Sequence, residues 1–123
     1  MIHASIRMVI PLQKQKEALS ILEAAAEDAR TQKGCIYCQV YKGVKDKRLF
    51  HFEQHWDSEE EMNRYLRSDK YLAVLLVLEM ALERPIVKFD QIASTSGMDT
   101  IETVRLKQKA IIDEAEEESA GDE

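Results

Sequence analysis

The fold of this chain is decided by the stretch RLFHFEQHWDSEEE, residues 48–61. Alternate positions fall on opposite sides of an extended chain, with Phe50, Phe52, Gln54 and Trp56 on one side and His51, Glu53 and His55 on the other. This alternation predicts a strand over Arg48–Trp56 that buries its aromatic face. The residues that follow match a capping box, in which Ser58 is the N-cap and Glu61 reaches back, so a helix is predicted directly after the strand.

Upstream of this stretch, the sequence predicts two more strands and one helix. Ile2–Ile10 alternates between apolar and polar residues, as a half-buried strand does. Apolar residues recur at three- and four-residue steps over residues 18–29, which predicts an amphipathic helix with Gly34 as its stop. Cys35–Tyr41 is rich in β-branched and aromatic residues and predicts a strand that forms a hairpin with residues 48–56.

Downstream, the second helix is predicted in two parts. The Ser68-Asp69 pair offers a second cap, after which an apolar run continues to the stop at Pro85. Ile86–Ile92 is the predicted fourth strand. The resulting order, β-α-β-β-α-β, predicts an α+β fold of the ferredoxin-like, split βαβ type: a four-stranded antiparallel sheet with both helices on one face.

The carboxyl-terminal end differs in composition from the rest of the chain. Residues 1–92 form the predicted domain, residues 93–98 a linker, and residues 99–123 an acidic helical tail. Of the 17 basic and 23 acidic residues, three and nine lie in the tail, so residues 1–98 carry no net charge. A neutral domain with an acidic tail lacks the basic face that a phosphate backbone requires, which argues against nucleic acid as a partner.

The sequence also predicts where the protein resides. No uncharged apolar run approaches the ~20 residues needed to span a bilayer. The first residues lack a basic region followed by an apolar block, so no secretory signal is evident. We therefore expect a cytoplasmic protein with no membrane partner.

The two cysteines, Cys35 and Cys38, form a C-x-x-C motif. A structural zinc site of this kind needs a second ligand pair, and none lies at motif spacing. In the predicted strand, positions i and i+3 face opposite sides with Cα atoms roughly 10 Å apart, which is beyond disulfide reach. We expect two ordinary buried or half-buried thiols.

One face of the predicted sheet has no helix to cover it. Val9, and either Tyr37 or Cys38, must fall on this face and need burial. We expect a homodimer in which a second copy covers the face. The tail helix, whose apolar residues step by three and four, is expected to dock on the body or on the partner chain.

Four residues on that same face have metal-ligand chemistry: His3, His51, Glu53 and His55. Two histidines and one carboxylate suit iron or zinc, and the antiparallel first and third strands let His3 approach His55. Same-face neighbours on one strand are ~6.6 Å apart at Cα, however, so one strand rarely supplies three ligands. We expect hydrogen bonds and charge pairs across the dimer face rather than a metal site.

Taken together, the motifs resemble the antibiotic biosynthesis monooxygenase family over about residues 1–92. The resemblance is carried by Gly34-Cys35 with Tyr37, Phe50-x-Phe52, Trp56-Asp57-Ser58-Glu59-Glu60, Ser68-x-x-Tyr71 and Pro85. It implies a dimeric α+β barrel, in which two such sheets pack face to face. It also implies oxidation of a small quinol or polyphenol by molecular oxygen, without metal, flavin or other cofactor, in a pocket between sheet and helices.

The resemblance implies a set of site residues as well. Trp56, Tyr65 and Tyr71 are the expected catalytic residues, and the expected pocket residues are Phe50, Phe52 and Ser5. A desolvated pocket suits this chemistry because a deprotonated phenol can pass an electron directly to oxygen.

Two other functions stay open at this point. Many family members carry a histidine where this chain has Tyr65, which keeps a non-catalytic dimeric module, binding a small aromatic ligand or another protein, close to the enzyme hypothesis. Haem degradation is a more distant third, because that branch uses a helical histidine as iron ligand and an asparagine on the first strand. Neither is present, and Ser5 is the polar residue nearest to the asparagine position.

Overall fold

The computed structural model describes residues 1–121, which form four strands and four α-helices. The strands are β1 (Ile2–Val9), β2 (Cys35–Lys42), β3 (Leu49–Trp56) and β4 (Ile86–Gln91). The helices are α1 (Gln15–Arg30), α2 (Glu59–Leu66), α3 (Leu72–Glu79) and α4 (Met98–Gly121). The contacts divide the chain after Ile92, so that α4 belongs to a unit of its own.

The four strands form one antiparallel sheet in the order β2-β3-β1-β4. This topology, with its helices, confirms the α+β ferredoxin-like prediction and the additional carboxyl-terminal helix. The predicted break between α2 and α3 is also present, as a short 3₁₀ turn at Asp69–Tyr71. The third helix ends at Glu79, before the predicted stop at Pro85. No helix among the described residues is long and apolar enough to cross a membrane, and the cytoplasmic location stays a prediction.

The core lies between the sheet and α1, α2 and α3. The alternation predicted for β1 and β3 is confirmed, because every second residue of each strand is buried. From α1, four alanines and Leu22 are buried, and the small alanine side chains let this helix pack closely against β2 and α3. The apolar stripe seen in the sequence is therefore the inner face of α1.

A β-bulge at Ile36 overturns the prediction that Cys35 and Cys38 lie on opposite faces of the sheet. Cys35 pairs with Trp56, and Cys38 pairs with Gln54, so both thiols lie on the helix-covered face of the sheet. The extra residue in β2 shifts the alternation by one position, and Tyr37 moves to the other face instead. Both cysteines are free thiols, Cys38 fully buried and Cys35 partly buried, as expected.

The turn into α2 follows the predicted capping box only in part. The Ser58 Oγ accepts a hydrogen bond from the Glu61 backbone N–H at 3.3 Å, as an N-cap does. The Glu61 side chain, however, packs against Gly34, and its Oε2 is buried with no hydrogen-bond partner among the described residues. The predicted second cap differs as well: the Ser68 hydroxyl donates to the Tyr65 carbonyl at 2.6 Å instead of capping the next turn.

The opposite side of the sheet, which we call the open face, is built from ladders of directly paired residues. One ladder runs Tyr37–His55–His3–Asp90, and the next runs Gln39–Glu53–Ser5–Lys88. The third ladder runs Tyr41–His51–Arg7–Ile86, and Val9 pairs with Leu49 beyond it. The open face is thus polar and aromatic at its centre and apolar at one end.

Candidate functional site

Three aromatic rings pack together on the helix-covered side of the sheet. The ring of Tyr65, from α2, lies 5.2 Å from that of Trp56 and 5.5 Å from that of Tyr71, measured between centroids. Trp56 is 0% exposed and Tyr65 is 1% exposed. These three residues, the aromatic cluster, are the predicted catalytic set, and the structure brings them into contact.

A short polar chain runs beneath the aromatic cluster. The Trp56 indole N–H donates to Gln54 Oε1 at 3.1 Å, and the Gln54 amide in turn lies 3.5 Å from the Cys38 thiol. Gln54 was not among the predicted site residues. The signal was present in the sequence, since Gln54 is the single polar residue on the otherwise aromatic face of residues 50–56.

The hydroxyl of Tyr65 is buried and makes no hydrogen bond to any described residue. Burial, with lesser contributions from Cys38, Tyr71 and Asp28, raises the pKa of Tyr65 well above its usual value. The nearby Gln54 amide moderates this shift but lies outside hydrogen-bonding geometry. Tyr65 is therefore a protonated donor with no acceptor among the described residues, which is costly in a protein interior unless a water or ligand accepts its hydrogen bond.

The other polar groups around the cluster also stay protonated at neutral pH. Burial raises the pKa of the Tyr71 hydroxyl. Burial likewise raises the pKa of Cys38 to about 11, although the Gln54 amide opposes the shift. Tyr65, Tyr71 and Cys38 thus supply hydrogen-bond donors, and none of these three groups is a base at pH 7.

The structure separates the predicted pocket residues into two sets. Phe50 and Phe52 are fully buried on the same face of β3 as Trp56. Ser5 pairs with Glu53 on the open face, so it does not join them. Because successive side chains of a strand point to opposite faces, a pocket that contains Trp56 cannot also contain Ser5.

A cleft of about 170 Å³ lies at the end of the sheet that carries Trp56, but no residue of the aromatic cluster lines it. Its lining residues are Ile2, Glu59, Met62, Phe89 and Gln91. Ile2 is the cross-strand neighbour of Trp56, and Met62 precedes Tyr65 by one helical turn. The cleft is smaller than the ~300–1,000 Å³ typical of ligand pockets. Because Trp56 and Tyr65 are fully buried, a ligand that contacts them requires the packing around the cluster to open.

On the open face, three of the four residues with metal-ligand chemistry meet, and they form the hydrogen-bonded group that the sequence favoured over a metal site. The His3 Nε2 lies 2.7 Å from Glu53 Oε1, and the His55 Nε2 lies 3.9 Å from the same oxygen. The Tyr37 hydroxyl donates to that oxygen at 2.7 Å and lies 3.3 Å from His55 Nε2. We call His3, Glu53 and His55 the His–Glu cluster. Tyr37, which was not among the four candidate ligands, is its neighbour.

The protonation states of the His–Glu cluster follow from these contacts. Partial burial opposes ionisation of Glu53, but hydrogen bonds from Tyr37 and His3 hold its pKa below the usual value. Burial and the positive charge of His3 lower the pKa of His55, although Glu53 opposes the shift. Burial and the bond to Glu53 raise the pKa of Tyr37. Near pH 7 the cluster therefore holds a carboxylate, a neutral His55 imidazole and a protonated phenol.

His51, the fourth residue with metal-ligand chemistry on this face, lies apart from the His–Glu cluster. It is paired with Arg7 on one side and with Tyr41 on the other, and its ring is 6.1 Å from that of Tyr41. His51 and the His–Glu cluster share the open face, but Glu53 and His55 are drawn toward His3 and Tyr37. His51 is not part of the group.

Comparison with solved structures supports the fold. An antibiotic biosynthesis monooxygenase is 15% identical, with a TM-score of 0.70, and the match covers 76% of this chain and 100% of that chain. A conserved protein from Methanosarcina mazei is 18% identical, with a TM-score of 0.69 and coverage of 73% and 90%. The protein Rv0793 from Mycobacterium tuberculosis is 14% identical, with a TM-score of 0.70 and coverage of 78% and 98%. At these identities the likeness shows the fold alone.

Comparison with curated proteins finds no match. The family model of antibiotic biosynthesis monooxygenases, by contrast, matches residues 1–75, which is more than half of the chain and includes β1, α1, β2, β3, α2 and the aromatic cluster. The chain therefore belongs to the antibiotic biosynthesis monooxygenase family.

Proposed function

We propose that the protein is a cofactor-independent monooxygenase that oxidises a small quinol or polyphenol with molecular oxygen. The proposal is carried by the Tyr65 hydroxyl, a buried donor without an acceptor in the described part of the chain, which lies beside two aromatic rings in a protein of this family. A phenolic oxygen placed at this point would accept a hydrogen bond from the Tyr65 hydroxyl. Its ring would pack against aromatic and aliphatic walls, as in most small-molecule sites.

The proposed roles follow from the contacts of each residue and from the polar groups that are free to bind a substrate. Tyr65 donates to the substrate oxygen and, because its pKa is raised, stays protonated throughout. Tyr71 packs edge-on against Tyr65 and fixes its ring. The Trp56 indole N–H is already bonded to Gln54, so Trp56 acts as a wall of the site, together with Phe50 and Phe52.

The proposed reaction needs no external reductant. One oxygen atom enters the quinol ring in place of hydrogen, and the other leaves as water with the two hydrogens lost from the substrate. The product is a hydroxyquinone, and all four electrons that reduce O₂ come from the quinol. Desolvation in a closed site would favour this direct electron transfer by excluding water.

One observation favours a second candidate function, a non-catalytic module that binds a small aromatic ligand. Tyr65, Tyr71 and Cys38 all have raised pKa values, so none of them removes a proton from a quinol at neutral pH. A site with donors and no base binds a phenol or quinone without turning it over. Turnover and binding therefore have to be measured separately.

The test is oxygen consumption with menadiol, corrected for oxidation without protein. We expect the wild-type protein to consume one O₂ per quinol, and Tyr65→Phe to lower the rate by about tenfold or more. Because the hydroxyl makes no hydrogen bond to residues 1–117, Tyr65→Phe should leave the unfolding midpoint unchanged or raise it. Tyr41→Phe, the same change at an exposed residue of the open face, is the matched control and should retain the rate.

Fluorescence distinguishes the two candidates, because Trp56 is the single tryptophan of the chain. A naphthoquinone bound beside Trp56 should quench its emission. Quenching without oxygen consumption would favour the binding module. If menadiol and other quinols gave neither effect, both candidates would be wrong.

We further propose a homodimer in which a second copy covers the open face. The Glu53 carboxylate there already accepts hydrogen bonds from His3 and Tyr37, so it keeps two hydrogen bonds when the face is covered. Val9 and Leu49 supply half-buried apolar surface at one end. The contribution of α4 stays a prediction; several of its apolar side chains are exposed, among them Ile101, Val104, Leu106, Ile111 and Ile112.

Light scattering at low micromolar concentration tests the dimer. We expect a particle of twice the 14.2 kDa chain mass, and Leu49→Asp should halve it, because a carboxylate buried in the interface has no partner. Leu12→Asp is the matched control, since Leu12 is exposed in the turn before α1, and this variant should stay dimeric. A wild-type particle of one chain mass would contradict the proposal.

A further inference from the structure

We propose that His3, Glu53 and His55 form a binding site for one divalent transition metal ion on the open face of the sheet. Two imidazoles and one carboxylate form a ligand set used by zinc and by non-haem iron in proteins. The site would leave one or more coordination positions for water or a small ligand. Nothing in the proposed oxygenase chemistry uses these residues.

The ligand atoms are close to coordinating positions. Ligands bound tetrahedrally to zinc at 2.0–2.1 Å lie about 3.3 Å from one another. Here the His3 Nε2–Glu53 Oε1 distance is 2.7 Å and the His55 Nε2–Glu53 Oε1 distance is 3.9 Å, and all three residues offer ligand atoms within 4.8 Å of one another. Side-chain adjustments of about an ångström would admit a metal ion without moving the backbone.

The sheet holds these side chains in place. His3 and His55 are directly paired across β1 and β3, with ring centroids 4.6 Å apart and the rings nearly perpendicular. Glu53 lies two residues before His55 on the same face of β3. The register thus supplies the third ligand from a second strand, which removes the objection that one strand rarely provides three. Ligands on paired central strands are better fixed than ligands on loops.

Tyr37 supplies an outer contact to the same group. Its hydroxyl donates to Glu53 at 2.7 Å, and its ring lies 4.4 Å from that of His55. Such a hydrogen bond orients a ligating carboxylate and is part of most metal sites. The bulge at Ile36 turns Tyr37 toward the open face, where it is directly paired with His55 on the neighbouring strand.

The site is built from one chain. The side chains of His3, Glu53 and His55 are 25%, 20% and 24% exposed in the single chain, so an ion reaches them from solvent before a second copy covers the open face. All three ligands come from one chain, which predicts one metal ion per chain whatever the assembly. The site also lies on the opposite face of the sheet from Trp56, so this proposal and the oxygenase proposal can fail independently.

The test is calorimetric titration of the chelator-treated, tag-free chain with Zn²⁺. We expect one ion bound per chain. His3→Ala and His55→Ala should each weaken binding by more than about 100-fold, and Tyr37→Phe by about 10–100-fold, the range typical of outer contacts. His51→Ala is the matched control, because it removes a histidine from the same strand and face but outside the cluster, and it should bind as the wild type does.

A second readout does not depend on the variants. Co²⁺ bound to the wild-type protein should give visible d–d absorption that one equivalent of Zn²⁺ abolishes. Failure of the wild-type chain to bind Zn²⁺, or equal losses from His51→Ala and His55→Ala, would show that the group is only a hydrogen-bonded network.

Discussion

Trp56→Ala is expected to lower the free energy of unfolding by about 3–5 kcal/mol, the usual cost of truncating a fully buried large aromatic residue. The loss combines a cavity between β3 and α2, the missing contact with Tyr65 and an unpaired Gln54 carbonyl oxygen. Since small domains are stable by only about 5–15 kcal/mol, this one change removes a large share of the total. Urea unfolding followed by circular dichroism measures it, because the variant has no tryptophan fluorescence.

Trp56→Phe separates the ring contact from the hydrogen bond. Phenylalanine keeps an aromatic ring against Tyr65 but leaves the Gln54 oxygen without its donor, so we expect a smaller loss of about 1–3 kcal/mol. Equal losses for the two variants would mean that the hydrogen bond, and not the packing of the aromatic cluster, holds this corner of the core. A loss below 1 kcal/mol for Trp56→Ala would contradict the buried position of Trp56.

Gly34→Ala is expected to cost about 2–5 kcal/mol. Gly34 has a φ of +89°, a conformation that L side chains rarely adopt, and an added Cβ would collide with the side chain of Glu61. The Gly34 carbonyl also accepts a hydrogen bond from the Asp57 N–H at 2.7 Å, so the backbone cannot relax freely. Urea unfolding followed by Trp56 fluorescence gives the value.

A double-mutant cycle divides this cost into its two causes. In the Glu61→Ala background the carboxylate is gone, although the Cβ of residue 61 still lies 2.8 Å from the added methyl group. We therefore expect Gly34→Ala to cost less in that background, with the φ penalty retained. Gly97→Ala is the control, since an added Cβ there meets only Asp99 Oδ1 at 3.7 Å, and it should leave stability unchanged.

The architecture could be predicted from the sequence because the periodic signals are strong. The alternation in residues 2–10 and 48–56, the alanine stripe of α1 and the Ser58 cap each specify one element without tertiary information. With four strands and two helical regions in that order, adjacency and handedness leave few topologies. The sheet order then brings His3 opposite His55, as predicted.

The predictions that failed concern the directions in which individual side chains point. The bulge at Ile36 has no clear pattern of its own, yet it determines which way Cys35, Cys38 and Tyr37 point. Ser68 and Glu61 are residue types common at helix caps, but their side chains make other contacts. The Ser68 hydroxyl donates to the Tyr65 carbonyl, and the Glu61 side chain packs against Gly34. Side-chain rotamers of this kind are settled by tertiary packing, which periodicity does not contain.

At the candidate site, too, the sequence identifies the residues but not their hydrogen bonds or the directions of their side chains. Trp56, Tyr65 and Tyr71 could be named from motifs, and they meet. That the Tyr65 hydroxyl is unpaired, that the Trp56 N–H is bonded to Gln54, and that Ser5 faces the other way follow only from three-dimensional structure. The chemistry of a site depends on which polar atoms are free to form a hydrogen bond with a ligand. Which atoms are free depends on the positions of all the neighbouring side chains.

The outermost strand β4, IVKFDQ, has a consequence for aggregation. It pairs with β1 on one side only, and all six of its residues are exposed. Edge strands with free backbone groups can recruit another chain, and charged side chains are a common safeguard against this. Lys88 and Asp90, which flank Phe89, are the charged residues of this strand. Neutralising both would leave an uncharged hexapeptide of high β-propensity at the edge of the sheet, which we expect to promote aggregation.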